Sequence, residues 1–162
     1  MVLTDNFGIM FAGLFTVPST NSDTITGMKD ITGSIETIQV KGSSNDQKNF
    51  NQSMLNQIQI GKGSTPPNAQ DFNIESPFTN GGVEDLRGNV GNGGLDKPLA
   101  KILYGAQINP TFGTGGIREV CYFLRMRNSN AVDKTFLMMR NVIPLVSFIA
   151  GQAINIDSEV FY

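Results

Sequence analysis

Ile58-Gln59-Ile60-Gly61-Lys62-Gly63-Ser64-Thr65-Pro66-Pro67-Asn68-Ala69-Gln70-Asp71-Phe72-Asn73-Ile74-Glu75-Ser76-Pro77 reads as a strand brought to a hard stop. Ile58 and Ile60 share one face and Gln59 takes the other, the period of two that marks a half-buried strand. Gly61 and Gly63 then supply backbone freedom, positive φ included. Pro66 and Pro67 fix φ and remove two backbone donors, so neither fits inside a sheet ladder. Asp71 can close a local turn with its own side chain. The stretch predicts a strand running into a rigid, solvent-facing loop.

Toward the C-terminus the same period recurs. Ile102, Tyr104, Ala106 and Ile108 alternate with Leu103, Gly105 and Gln107. Asn109-Pro110 and Gly113–Gly116 turn the chain. Val120, Tyr122, Leu124 and Met126 then share one face, with Cys121, Phe123, Arg125 and Arg127 on the other. Asn128–Asp133 is a polar turn, Thr135–Arg140 a further strand, and Pro144 predicts an edge or a break. After the turn at Ala150-Gly151, Ile154, Ile156, Val160 and Tyr162 point inward and Asn155, Asp157 and Glu159 outward. Short strands separated by turn clusters argue a sandwich or barrel.

Ile60-Gly61-x-Gly63-Ser64-Thr65-x-Pro67, followed by Asp71 and Ile74, resembles a loop that recurs in small structural proteins of tailed bacteriophages, "IGxGxTxP…D…L" after a strand. Those proteins often end in a strand led by a small residue, Gly, and Gln or Asp. Ala150-Gly151-Gln152 followed by Ala153–Tyr162 is similar, and the two matches lie in the expected order. Lys62 stands where a small polar residue is more usual. The resemblance implies a virion protein that works by assembly.

Composition narrows the function classes. With 162 residues and 40% hydrophobic content, one domain with a real core is expected. Charged residues make up only 16% of the chain, against about 25% in ordinary globular proteins. Asn, Gln, Ser, Thr and Gly carry the polar role, which suits a β protein whose surface is covered by neighbours. A net charge of −2 argues against nucleic acid as the main partner, because phosphate binding needs an excess of cations. The chain has no histidine and one cysteine, Cys121. That removes the Cys-His and Ser-His arrangements, the usual zinc ligands, the commonest general base and any intrachain disulfide. Cys121, between Val120 and Tyr122, reads as a buried thiol in a strand.

At the N-terminus, the apolar run Phe7–Phe15 is too short to span a bilayer. It has no positive n-region and is preceded by Asp5, so no signal peptide and no membrane are expected. Two readings stand: a buried first strand, or an arm over residues 1–17 that docks on another subunit. Thr24–Val40 predicts a hairpin, Ile25–Met28 with Ile35–Val40, around the turn Asp30-Ile31-Thr32-Gly33. Gly42–Ser53 reads as a surface loop. Thr79–Pro98, with Gly81-Gly82, Gly88, Gly91 and Gly93-Gly94, reads as one long exposed loop. Neither Gly61-Lys62-Gly63-Ser64 nor Gly113-Thr114-Gly115-Gly116 meets a phosphate-loop pattern.

Candidate chemistry is sparse. Glu84 with Asp85, and Asp157 with Glu159, are paired carboxylates that a solvated surface explains. Arg125 and Arg127, with Arg118 and Arg140 near them, are either a solvent-exposed pair with local carboxylate partners or an interface patch. The expected fold is an all-β antiparallel sandwich over 1–162, jelly-roll or immunoglobulin-like, with long Gly/Asn-rich loops. The expected protein is a homo-oligomeric virion component, a capsid cement or decoration protein, with a collar, tail or fibre part as the near alternative. No catalytic residue, cofactor or metal is expected. The candidate interface residues are Phe7, Ile9, Phe11, Leu14, Phe15, Arg125 and Arg127. From another class, a carbohydrate-binding β-sandwich module remains open. It would want exposed aromatics, yet there is no Trp, and Tyr104, Tyr122 and Tyr162 all fall at inward-reading positions.

Overall fold

The structure, a computed structural model, describes residues 1–16, 24–39, 57–80, 84–85, 87–89, 95–96, 101–108 and 114–161. In chain order the elements are β1 (Val2–Leu3), α1 (Asp5–Thr16), β2 (Thr24–Lys29), β3 (Ile35–Gln39), β4 (Gln57–Gly61), β5 (Thr79–Asn80), β6 (Glu84–Asp85), β7 (Arg87–Asn89), β8 (Leu95–Asp96), β9 (Lys101–Ile108), β10 (Gly115–Arg127), β11 (Asp133–Phe148) and β12 (Ile154–Phe161). A five-stranded sheet runs β1-β11-β10-β4-β7 and a three-stranded sheet runs β12-β9-β8. Among the described residues β2 also pairs with β3, and β5 with β6. Every pairing is antiparallel. The described chain is mostly β, as expected, with one short helix.

The β10–β11 hairpin is the spine, and its alternation follows the sequence. Val120, Tyr122, Leu124 and Met126 enter a large core with Met10 of α1, Met28 of β2, Ile58 and Ile60 of β4 and Ile108 of β9. Cys121 and Phe123 face the other way and join Leu137 and Ile74 in a second cluster. Both faces of this sheet are therefore buried. Gln59 is only 1% exposed, so β4 is not the half-buried strand its sequence suggested. A central strand with covered faces hides its polar side chains too, and Gln59 Oε1 is left without a hydrogen-bond partner.

Two irregularities shape β11. The rungs skip from Tyr122↔Met139 to Phe123↔Leu137, which leaves Met138 as an extra residue. Such a bulge frees backbone groups from the ladder. Here they are taken up: Thr4 Oγ1 donates to Leu137 O at 2.6 Å, and Thr4 N donates to Met138 O at 3.0 Å. Further on, Ile143–Leu145 fall between rungs, and Pro144 sits there inside the strand. A residue with no N–H fits where no rung is needed, so the expected break is an interruption within one long strand.

The run Phe7–Phe15 is not a strand. It lies in α1, with Asp5 in the first turn, where a carboxylate favours the helix N-terminus. Asn6 and Met10, four apart, are 3% and 1% exposed. A Cβ at Gly13, one turn further, would lie 2.6 Å from Ile25 Cγ1. That i, i+4, i+7 stripe is helical. It escapes a reading of hydrophobicity because the other faces also carry Phe7, Ile9 and Phe11, so no polar side marks the period. Asn6 fixes the entry: its Nδ2 donates to Lys29 O at 2.8 Å and to Leu137 O at 3.1 Å, and its Oδ1 accepts from Lys29 N at 2.7 Å.

The predicted hairpin is present as β2–β3, with Val40 outside the described residues. Asp30 Oδ1 accepts from Thr32 N, Thr32 Oγ1 and Ser34 N, and Gly33 takes φ +88°. The region 79–98 departs from expectation. Its described residues pair: β5 with β6, β7 with β4 and β8 with β9. The short strands were invisible because Gly and Asn mask any alternation. The loop read over Gly42–Ser53 lies outside the described residues.

Ile154 and Ile156 pack inward and Asn155 and Asp157 stay exposed, in agreement with the sequence. Gly151 takes φ +77° in the turn before β12. Gly151→Val is expected to cost about 1–3 kcal/mol, because a β-branched residue is strained there. A melting temperature equal to that of the parent chain would contradict this.

Candidate functional site

The Ile58–Pro77 stretch forms the solvent-facing loop that the sequence predicts, with Lys62, Ser64–Pro66, Asn68–Gln70, Asn73 and Glu75 exposed. It closes back on the sheet: Lys62 N donates to Ser76 O at 2.7 Å, and Gly61 bridges Pro77. Ends that meet around a packed interior define an Ω-loop. Ile74 is its apolar plug, seated against Cys121, Phe123 and Leu137. Lys62, at the position where the resemblance departs, lays its ammonium 5.1 Å from the Phe78 ring centroid.

Beneath the loop lies an ionic cluster whose centre, Arg140 with Glu119, is buried, and whose rim, Asp71 and Glu75, is partly in solvent. Arg140, 2% exposed, spends its guanidinium on three carboxylates. Nε donates to Glu119 Oε1 at 2.7 Å, Nη1 to Asp71 Oδ2 at 2.8 Å and Nη2 to Glu75 Oε2 at 2.7 Å. Glu119 has no solvent exposure. Besides Arg140 it accepts from Glu75 N at 2.9 Å, Gly63 N at 3.2 Å and Ser76 N at 3.3 Å. Backbone donors thus share with Arg140 the task of solvating a carboxylate that water cannot reach.

This cluster explains the motif spacing. Neither Gly61 nor Gly63 has positive φ. They are glycines for close approach: a Cβ at Gly61 would lie 2.6 Å from Ser76 O and 2.8 Å from Glu119 Oε2, and one at Gly63 would lie 2.6 Å from Glu75 Oε2. Thr65 donates to Glu75 through its N–H at 3.0 Å and its hydroxyl at 2.6 Å. Those bonds, with the Arg140 charge behind them, hold the Glu75 carboxyl below its ordinary value. Asp71 closes its turn by accepting from Asn68 N at 2.9 Å, as expected, and also receives Arg140. Burial works against the charged form of Arg140, but Glu119 and Asp71 outweigh it and strengthen its hold on the proton.

Chemically the cluster is a lock. The guanidinium's Nε, Nη1 and Nη2 are all engaged, and each carboxylate accepts several donors. Cys121 is buried, and that burial, with Glu119 beside it, pushes the thiol well above its ordinary value. It stays a neutral thiol, as its neighbours suggested. Glu119 and Arg140 were missed as partners by sequence reading. The one available signal was a charged residue inside each apolar strand, Glu119 beside Val120-Cys121 and Arg140 after Leu137-Met138-Met139.

A second charged group joins the hairpins. Lys134 Nζ reaches Asp30 Oδ2 at 3.1 Å and also pairs with Glu36. Burial pushes the Asp30 carboxyl up, but bonds from Thr32, Lys134 and Ser34 outweigh it and hold it below its usual value. Lys134 and Asn128 do the same for Glu36. Carboxyls with lowered folded values contribute fully above their unfolded pKa of about 4. The contribution is lost as pH falls through the lower folded values. Thermal melts taken downward from pH 5 are therefore expected to fall less steeply in Lys134→Met than in the parent chain. Parallel slopes would exclude this triad as the source.

The candidate interface residues fall on two elements, the five apolar ones on α1 and the two arginines on β10. Phe7 and Ile9 are partly buried against the large core. Phe11 is 51% exposed and stacks on Phe7 with ring centroids 6.2 Å apart. Leu14 and Phe15 lie on α1, with side chains outside the described part. Arg125 and Arg127 sit on the Cys121 face of β10, and both reach Asp133, at 3.0 and 3.3 Å. They have the local carboxylate partner of the blander reading. Arg118 is exposed, and Arg140 belongs to the lock.

A cavity of about 280 Å³ lies between α1, the β2–β3 hairpin and the Ω-loop, lined by Asp5, Lys29, Gln70 and Phe72 among others. The Lys29 ammonium stands 4.4 Å from the Phe72 centroid and occupies that ring face. Tyr122 is 1% exposed. Among the described residues no group of acids and cysteine is arranged to hold a metal ion. Among them, too, no helix is long and apolar enough to cross a membrane. No family model, curated protein or solved structure matches the chain.

Proposed function

We propose that this chain is a structural protein of a tailed-bacteriophage virion that acts by assembly, as a capsid cement or decoration protein. A collar, tail or fibre component is the nearest variant of this reading. The observation that carries it is the convergence of Gly61, Gly63, Thr65 and Asp71, the residues of the resemblance, on the one ionic lock around Arg140. Residues spent on holding a loop rigid suit a protein that works through its shape. The sparse charge of the chain, 16%, supports a surface covered by neighbours.

The finer architecture belongs to the same proposal. The large core draws on strands of both larger sheets, which supports a jelly-roll or immunoglobulin-like sandwich. Electron microscopy of purified particles from a phage that encodes the chain tests the function. Density for this chain on the capsid, at stoichiometric occupancy, is the expected result. Its absence from particles would sink the proposal, and binding on a glycan array would favour the carbohydrate-binding reading instead.

A further inference from the structure

A cleft of about 260 Å³ lies between β11 and β12, lined from both of the larger sheets. Ile60 of β4 and Ile117, Val120 and Tyr122 of β10 reach it from the five-stranded sheet, with Ile143 and Val146 of β11 beside them. On the opposite side it meets β12 through four consecutive residues, Ile154, Asn155, Ile156 and Asp157. Successive side chains of a strand point to opposite faces, so a cleft that met only a face would touch every second residue. Contact with four in a row means that the cleft opens onto the edge of β12. That edge is the free one. Among the described residues β12 pairs with β9 alone and ends its sheet.

An edge strand offers backbone N–H and C=O groups that no ladder has used. Here they stand beside aliphatic side chains, several of which belong to the large core. Val146 is 49% exposed, in an apolar corner that includes the exposed Leu145 and Ile149. Asp157 is also exposed, and among the described residues no Lys or Arg lines the cleft to answer its charge.

We propose that the cleft receives an extended segment of a partner protein as an added strand. The segment pairs its backbone with the free edge of β12. It turns aliphatic side chains at alternate positions onto Ile143, Val146 and Ile156, and sets a lysine or arginine near Asp157. The edge selects extended backbone, the aliphatic walls select the alternation, and the Asp157 carboxylate selects the cation. The contact deepens the assembly reading above and rests on it for its biological sense. Its test uses the purified chain without particles, so the two readings fail separately.

The probe is a displayed library of random peptides with about six variable positions, the usual length of a strand, selected on the full purified chain at neutral pH. Enriched peptides are expected to alternate aliphatic residues and to carry Lys or Arg. When bound, an enriched peptide should slow hydrogen exchange at amides within Ile154–Asp157. The same peptide N-methylated at the positions that face β12 cannot complete the ladder, and should bind on the order of tenfold more weakly. Val146→Lys and Asp157→Lys should weaken binding to a similar degree with unchanged circular dichroism melts, since both positions are exposed to solvent. Val132→Lys is the control: that residue is 51% exposed in the turn at the far end of the β10–β11 hairpin, and its replacement should leave binding intact. Failure to enrich any peptide, equal binding of the N-methylated form, or full binding by Val146→Lys would overturn the proposal. So would protection of the same amides that rises with the concentration of the chain alone, because the occupant would then be a second copy.

Discussion

Replacing Arg140 by methionine lowers the unfolding free energy by about 3–5 kcal/mol, the usual loss when one partner of a buried ion pair is removed. The stem of methionine fills much of the space, but Glu119 loses its cation in a site with no solvent exposure. Asp71 and Glu75, the two loop carboxylates, lose their tie to the sheet at the same time. Urea titration should show a lower midpoint with little change in slope. Arg140→Met combined with Glu119→Leu should recover only part of the loss, because Gly63, Glu75 and Ser76 would keep buried N–H groups with no acceptor. A loss below about 1 kcal/mol in the single variant would falsify the lock.

Gly61→Ala is the second large effect, expected at about 1–3 kcal/mol, the range for overpacking. The added methyl would meet the Ser76 carbonyl oxygen at 2.6 Å and Glu119 Oε2 at 2.8 Å. One of these is backbone and the other accepts from Gly63 N and Ser76 N while Arg140 holds the second oxygen of the same carboxylate, so neither can swing aside. Gly8→Ala is the control: a Cβ at Gly8 meets nothing within 4 Å, and alanine is the better helix former. It should be neutral or stabilising in the same thermal melt. If Gly61→Ala is tolerated as well as Gly8→Ala, the close approach at the loop is not needed for stability.

The β architecture was legible where alternation is strict. Val120–Met126 and Ile154–Asp157 announce their faces because one side chain in two must enter a core. The hairpin at Asp30–Ser34 was legible from turn chemistry. The helix was not, since a short apolar run carries no polar face to set its period. Paired glycines at 61 and 63 also misled: a glycine demanded by φ and one demanded by proximity look alike in sequence. The lock was hidden for another reason. Asp71 and Glu75 lie far along the chain from Glu119 and Arg140, and nothing local marks a carboxylate as buried. The exposed corner at Leu145–Ile149 was invisible for the opposite reason, because an apolar strand end reads as core.

The long reach of β11 bears on how the chain is made. β1 pairs with it, Thr4 and Asn6 bond to its carbonyls, and Arg140 on it fastens the Ω-loop. β4 must in turn wait for β10. A ribosome emits α1 and the Ω-loop long before the hairpin that organises them, so α1 at first has only β2 and β3 to settle on, through Asn6 with Lys29 and Gly13 with Ile25. The rest of the core around Met10, supplied by β10 and β11, is missing throughout that interval. Folding dominated by such distant pairings is slow and prone to aggregation. Synthesis at high copy number would therefore select for a chaperone that holds the first residues until the C-terminal hairpin is released.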